Sequence, residues 1–202
     1  MKYYLDITLL PDAEANLGFL WQKVYQQIHI ALADNKIAKN QSAIAVSFPK
    51  YGDKVFPLGD KLRLLANQQA QLEQLDIGKW LNRLTDYTHV TSIKKVPSSV
   101  NEYVFFKRKQ FKSNLIKEAK RRAKYKGESL EAALAHFKDY KKDSSLPFIN
   151  ITSLSTEGEG AINKNFKLFI EKNKADKLEQ GCFNCYGLSS RESNKISTIP
   201  WF

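Results

Sequence analysis

Cysteine is scarce: two occur in 202 residues, Cys182 and Cys185 of GCFNCYGL. Zinc takes four ligands, and no second pair or nearby histidine completes a set around this C-x-x-C. A redox C-x-x-C opens a helix, whereas Phe183 and Tyr186 give this one a strand-like context, in which residues three apart point to opposite faces. The two thiols are expected to stay reduced in a half-buried strand. No stretch comes near the roughly 18 consecutive apolar residues of a membrane span, and the opening MKYYLDITLLPD carries charges where a signal peptide would be apolar. A soluble, cytoplasmic protein is expected. There is no internal repeat and no low-complexity tract. The chain also lacks H-E-x-x-H, a Walker loop, G-x-S-x-G and any acidic cluster spaced for two metal ions. Neither a metal site nor a cofactor is expected.

Hydrophobic residues make up 43% of the chain and aromatics 12%, which suits a packed core in one or two domains. The net charge is +11, and residues 107 to 126 hold ten lysines and arginines against one glutamate, so the remainder is nearly neutral. A patch of that size points to a polyanionic partner, either nucleic acid or an anionic membrane surface.

The helix pattern separates the two. Ser113 and Asn114 are suitable N-caps for a helix beginning near Leu115. Lys117, Lys120, Arg121 and Lys124 then recur at i, i+3, i+4 and i+7, forming one cationic stripe. The other side carries Ile116, Ala119 and Ala123, too small to anchor a helix in lipid, where Trp, Phe or Leu would be needed. Like charges at i and i+4 repel and require a counter-charge. Nucleic acid fits and a membrane does not. Ahead of the helix, Arg108 and Gln110 alternate in a segment that can be extended. Arg can bond guanine O6 and N7 together, and Gln adenine N6 and N7, so the pair could read bases.

Residues 3 to 9 put Tyr3, Leu5, Ile7 and Leu9 on one strand face, and residues 17 to 33 repeat apolar side chains at helical spacing. Further strands are predicted at 43 to 48, 61 to 66 and 88 to 96, with a second helix over 71 to 84. The order strand, helix, strand, strand, helix, strand predicts an α+β protein with an N-terminal ferredoxin-like (RRM-like) fold. Pro and Ser residues around 96 to 103 suggest a boundary near residue 97. The expected division is a ferredoxin-like domain over 1–97 and an RNA-binding domain over 98–202. The second would contain the basic helix, another helix over 128 to 140, and a small sheet from strands within 146 to 155, 165 to 170 and 182 to 188.

An RNA cutter without metal uses the substrate's own 2′-OH as nucleophile, and needs a proton acceptor of near-neutral pKa. Three histidines are available. His29 lies about 120° from the middle of its helix's apolar stripe at 100° per residue, on the border between core and surface. There a ring can be held by packing while one nitrogen faces a ligand; a purely structural, hydrogen-bonded histidine is the alternative. His89 adjoins a predicted strand, and His136 belongs to ordinary helix surface.

In order and spacing, YYLDITLLPD, IHIAL, IAVSFP, RKQFKSN, LPFINITSLST, NFKLFI, CYGLS and the terminal PWF closely resemble one family. This is the CRISPR repeat-processing endoribonucleases of the type I-F systems, a subtype of the Cas-six family. The resemblance spans residues 3 to 202. It implies an enzyme that binds the hairpin of CRISPR repeat RNA, cleaves at the 3′ base of the stem and stays on the mature guide. It further implies that His29 is the catalytic histidine, that Ser153 holds the 2′-OH and that Tyr186 orients the imidazole. Arg108 and Gln110 would read the bottom of the stem, where the major groove opens at a helix end. Phe166 would stack beneath the terminal base pair, and Ser155 and Thr156 would line the site. Lys117, Lys120, Arg121, Arg122 and Lys124 would track phosphates. Other Cas subunits of a type I-F surveillance complex are the implied protein partners, and no DNA contact is expected. Two rival readings share the fold: a non-catalytic RNA-hairpin-binding subunit in which His29 is structural, and a structural component of a larger ribonucleoprotein.

Overall fold

A computed structural model describes residues 1–111, 115–137, 145–153, 164–190 and 196–202. Strand β1 (Tyr3–Leu9) leads to helix α1 (Leu17–Asp34), then β2 (Ala45–Ser47), β3 (Lys61–Ala66), α2 (Gln69–Leu75), α3 (Ile77–Trp80), β4 (Thr88–Val90) and β5 (Lys94–Lys95). The second half adds β6 (Tyr103–Lys109), α4 (Leu115–Lys126), α5 (Leu130–His136), β7 (Phe148–Ser153), β8 (Lys164–Ala175) and β9 (Ile199–Pro200).

The first sheet runs β2-β3-β1-β4, with β5 also on β1, and its pairs are antiparallel. β1 and β2 flank β3, and β3 and β4 flank β1. Each helical crossover thus leaves room for one strand between the two it joins, which is the interleaved ferredoxin-like arrangement expected from the element order. Leu5, Ile7 and Leu9 of β1 and Leu62 and Leu64 of β3 are buried against α1, which turns Leu20, Trp21, Val24, Ile28 and Ala31 inward. The Asn16 side chain caps α1 by accepting the Phe19 N–H at 3.0 Å. Across the sheet's polar face, Asp6 and its register partner Arg63 form a bidentate pair at 2.6 and 3.0 Å. The Arg63 guanidinium lies against both the Tyr4 and Phe202 rings, which meet edge to face, and donates to the Phe202 carbonyl at 2.7 Å, tethering the PWF segment.

Two elements depart from the periodicity. The helix expected over 71 to 84 is broken into α2, α3 and a 3-10 turn at Asn82–Tyr87. Asp76 takes a left-handed conformation (φ 44°, ψ 60°) that lets Leu72, Leu75, Ile77 and Leu81 all reach the core. The strand expected over 88 to 96 is two short ones. Ile7 pairs with Val90 but Tyr4 with Lys94, one residue more on the later strand, which marks a bulge.

The second sheet runs β7-β8-β6-β9. Val104, Phe106, Ile149, Ile151, Leu168 and Ile170 from it join the same core as α1 and the first sheet. Packing therefore divides the chain elsewhere than residue 97, the compositional boundary. One compact unit is Met1–Arg108 with Pro147–Phe202, and the other is Lys109–Leu146.

Within the smaller unit, Leu115, Ala119 and Ala123 of α4 pack on Ala133 and Phe137, while Ile116 is 59% exposed. The apolar stripe is therefore rotated from the expected Ile116, Ala119 and Ala123. Gly127 (φ 66°) ends α4, and Ser129 caps α5 by accepting the Ala132 N–H at 3.1 Å. The expected caps Ser113 and Asn114 lie outside the described residues, as does the end of the helix predicted to residue 140. Among the described residues, no helix is long and apolar enough to cross a membrane.

Candidate active site

The segment Cys182–Leu188, expected to be a strand, is a turn. Phe183 bridges Ser42 and Ser189 at its mouth. The Asn184 side chain accepts the N–H groups of Tyr186 (2.9 Å) and Leu188 (3.2 Å), so a polar side chain takes the place of a strand ladder. Gly187 sits at φ 70°, and a Cβ there would lie 2.3 Å from Val46 Cγ2. Its carbonyl accepts the Val46 N–H at 2.8 Å, which locks the turn to β2. Only glycine meets both demands. Cys182 is half-buried and Cys185 buried, and both are free thiols.

Helix α1 grips this turn through two residues one helical turn apart. Tyr25 donates its hydroxyl to the Tyr186 carbonyl at 2.8 Å, and burial pushes its phenol pKa well up, keeping that proton in place. His29 Nδ1 lies 2.9 Å from the Cys185 carbonyl. A carbonyl only accepts, so Nδ1 carries the proton and Nε2 keeps its lone pair. The imidazole lies flat on the Tyr186 ring, with centroids 4.0 Å apart and planes 5° from parallel. Burial lowers the His29 pKa from its ordinary value, the Cys185 carbonyl opposes this, and the Arg108 charge adds to the lowering. The ring is therefore neutral near pH 7, with one nitrogen committed and the other available as a base.

Arg108, on β6, places its guanidinium over Phe166 (4.8 Å) and Tyr186 (5.8 Å). Arg108 thus links Phe166 to the stacked pair of Tyr186 and His29. Arg108 Nε is buried without a hydrogen-bond partner among the described residues. Phe166 stands on β8 opposite Ile151, and Ser153 ends β7, the strand on which α1 packs. Ser155 and Thr156 lie outside the described residues. In the smaller unit, Gln110, Lys117, Lys120, Arg121 and Lys124 are exposed. Arg122 is half-buried, and its Nε bonds Glu128 at 2.6 Å. His89 and His136 are both exposed. Among the described residues, no three His, Cys, Asp or Glu side chains are grouped to hold a metal ion.

A family model described as CRISPR-associated protein (Cas_Csy4) matches residues 4–202. The chain belongs to that family. It is the family to which the sequence resemblance pointed. Two curated relatives carry the name CRISPR-associated endonuclease Cas6/Csy4. One, from Escherichia coli (strain UTI89 / UPEC), is 34% identical over 206 aligned residues, covering 100% of each chain. The other, from Pseudomonas aeruginosa (strain UCBPP-PA14), is 32% identical over 204, again covering 100% of each.

Tyr25 and Asn184 were not singled out from the sequence. Tyr25 shares a helix face with His29 at i−4, a signal that periodicity does contain. The N-x-x-G of Asn184 and Gly187 is a turn signal that was masked by the aromatic and thiol residues around it. The carbonyl of Cys185 left no signal, since any residue offers one.

Proposed function

We propose that this member of the Cas_Csy4 family is a CRISPR RNA-maturing endoribonuclease that binds the stem-loop of the repeat RNA and cleaves at the 3′ base of the stem. The observation that carries the reading is the His29 imidazole, held neutral with Nδ1 bound to the Cys185 carbonyl and Nε2 keeping its lone pair. Nε2 takes the proton of the 2′-OH just upstream of the scissile phosphate. The 2′-oxygen then attacks phosphorus, the bond to the 5′-oxygen of the next nucleotide breaks, and that oxygen takes up a proton from water as the imidazolium returns its own to solvent. The products are a 2′,3′-cyclic phosphate and a 5′-OH, and no metal takes part. Ser153 holds the attacking hydroxyl, and Ser155 and Thr156 line the site beside it. Tyr186 orients the imidazole by stacking on it rather than through a hydrogen bond.

Phe166 offers a ring on which the terminal base pair of the stem stacks. Arg108, its guanidinium held near two rings and its Nε without a partner among the described residues, reads the base of the stem together with Gln110. Lys117, Lys120, Arg121 and Lys124 neutralise phosphates along the hairpin; Arg122, partly committed to Glu128, contributes less. Retention of the hairpin makes the protein a cap on the guide RNA, to which other Cas subunits are added in the cytoplasm.

The test is incubation with the cognate repeat RNA in EDTA, followed by analysis of the product ends. Cleavage should proceed and leave a cyclic phosphate. A single 2′-deoxy nucleotide at the cut should block the reaction while sparing most of the affinity, because every phosphate remains. Cutting of the deoxy substrate, or arrest by the chelator, would show that the nucleophile is not the 2′-OH or that a metal is required.

A further inference from the structure

α1, β7 and β8 carry His29, Ser153 and Phe166, and a chain of polar side chains outside the site ties the three elements together. Gln26, about one turn before His29 on α1, accepts the backbone N–H of Thr152 at its Oε1, 3.0 Å away. Thr152 is the immediate neighbour of Ser153. Its own hydroxyl donates at 2.8 Å to Oδ1 of Asn165, its register partner on β8, and Asn165 directly precedes Phe166.

The bond from Thr152 to Gln26 has a clear physical origin. β7 is the edge of its sheet, so the N–H groups on its outer side have no strand to pair with. Gln26 supplies the missing acceptor at the last turn of chain before Ser153. The amide can face only one way, because a backbone N–H needs the oxygen and not the NH2. Gln26 Nε2 is buried and has no partner among the described residues, so the Oε1 bond is the polar contact that orients the side chain. The unpaired Nε2 costs folding free energy, which offsets part of what the bond to Thr152 contributes.

We infer that Gln26 is a positioning residue for RNA cleavage, fixing the end of β7, and with it Ser153, relative to His29. This rests on the 2′-OH reading above. Misplacing a reacting group by about 1 Å can cost about 100-fold in rate, and loosening one bond of this tether is expected to cost about tenfold.

The experiment is single-turnover cleavage of the cognate repeat hairpin at saturating protein, with affinity measured on the 2′-deoxy hairpin. Gln26→Met keeps the side chain's length and removes the acceptor; it should cut about tenfold more slowly with affinity within about twofold. Gln26→Glu keeps an acceptor for Thr152 and should stay within about threefold of the parent. In a Ser153→Ala background, Gln26→Met should add less than about a twofold loss, because a residue acting through Ser153 has nothing left to position. An unchanged rate for Gln26→Met overturns the inference. So does an equal loss in both backgrounds, a loss of affinity as large as the loss of rate, or a Gln26→Glu defect as deep as that of Met. If Ser153→Ala cuts as fast as the parent, the Ser153 assignment falls and takes this one with it. If Ser153→Ala is slow and Gln26→Met is not, only the Gln26 inference falls.

Discussion

His29 is held by a carbonyl 156 residues away in the chain, and its neighbour Tyr25 by one 161 residues away. The lysines and arginines of α4 owe their alignment to residues three and four positions away. The first arrangement is half-buried, closely packed and poor in charge. The second is exposed, rich in charge and supported by a small core of Ala119, Ala133 and Phe137 with Leu115 and Ala123. The contrast matches the two tasks. Proton transfer tolerates little error in position and gains from a group whose pKa is set by burial. Phosphate binding depends on summed charge, which long solvated side chains deliver without fixed geometry. Residues in the first region should therefore control the rate of cutting, and those in the second the strength and salt dependence of binding.

The sharpest way to break this division is His29→Ala. Loss of a positioned proton acceptor should lower single-turnover cleavage by about 10²- to 10⁴-fold. Affinity for the uncleavable hairpin, dominated by charge on the phosphates, should change by less than about tenfold. Equal loss of both would make His29 structural.

The converse change removes Lys120, Arg121 and Lys124 together. Binding should weaken strongly, and the slope of log K against log salt should become shallower by roughly 0.7 to 0.9 for each phosphate that the protein no longer neutralises. Cleavage at saturating protein should persist. An unchanged slope would mean that the stripe does not face RNA, and the comparison between the regions would fail on that side.

Tyr186→Phe should have the smallest effect and sharpens the picture of how the imidazole is held. The stacked contact at 4.0 Å uses the ring face and not the hydroxyl. The rate should stay within about threefold of the parent, less than the loss of a typical hydrogen bond can bring. A tenfold loss in single-turnover rate would show that the phenol oxygen takes part through a bond of its own.

The elements differ in how readily they could be read from the chain. β1 and β3 occupy the expected ranges, and α1 ends within a residue of its prediction, because each is a continuous apolar pattern bounded by polar or turn residues. The α2–α3 break was not legible, since the left-handed Asp76 answers to where Leu75 and Ile77 must both reach core. The 182–188 turn was misread as a strand because its apolar residues are buried for different reasons. Phe183 and Leu188 pack into the core, Cys185 is buried apart from that cluster, and Tyr186 faces His29.

By itself the sequence determined what depends on near neighbours: the ferredoxin-like order of strands and helices, the cationic stripe at 117, 120, 121 and 124, and a histidine at the edge of an apolar helix face. Periodicity and charge are local properties, and a single chain displays them in full. Only the tertiary structure decided which nitrogen of His29 carries the proton, which ring it lies on, and that Arg108 lies near both Phe166 and Tyr186. Those outcomes turn on one backbone carbonyl and on ring planes a few ångströms apart. The carbonyl of Cys185 is chemically identical to every other in the chain until folding brings it to the imidazole.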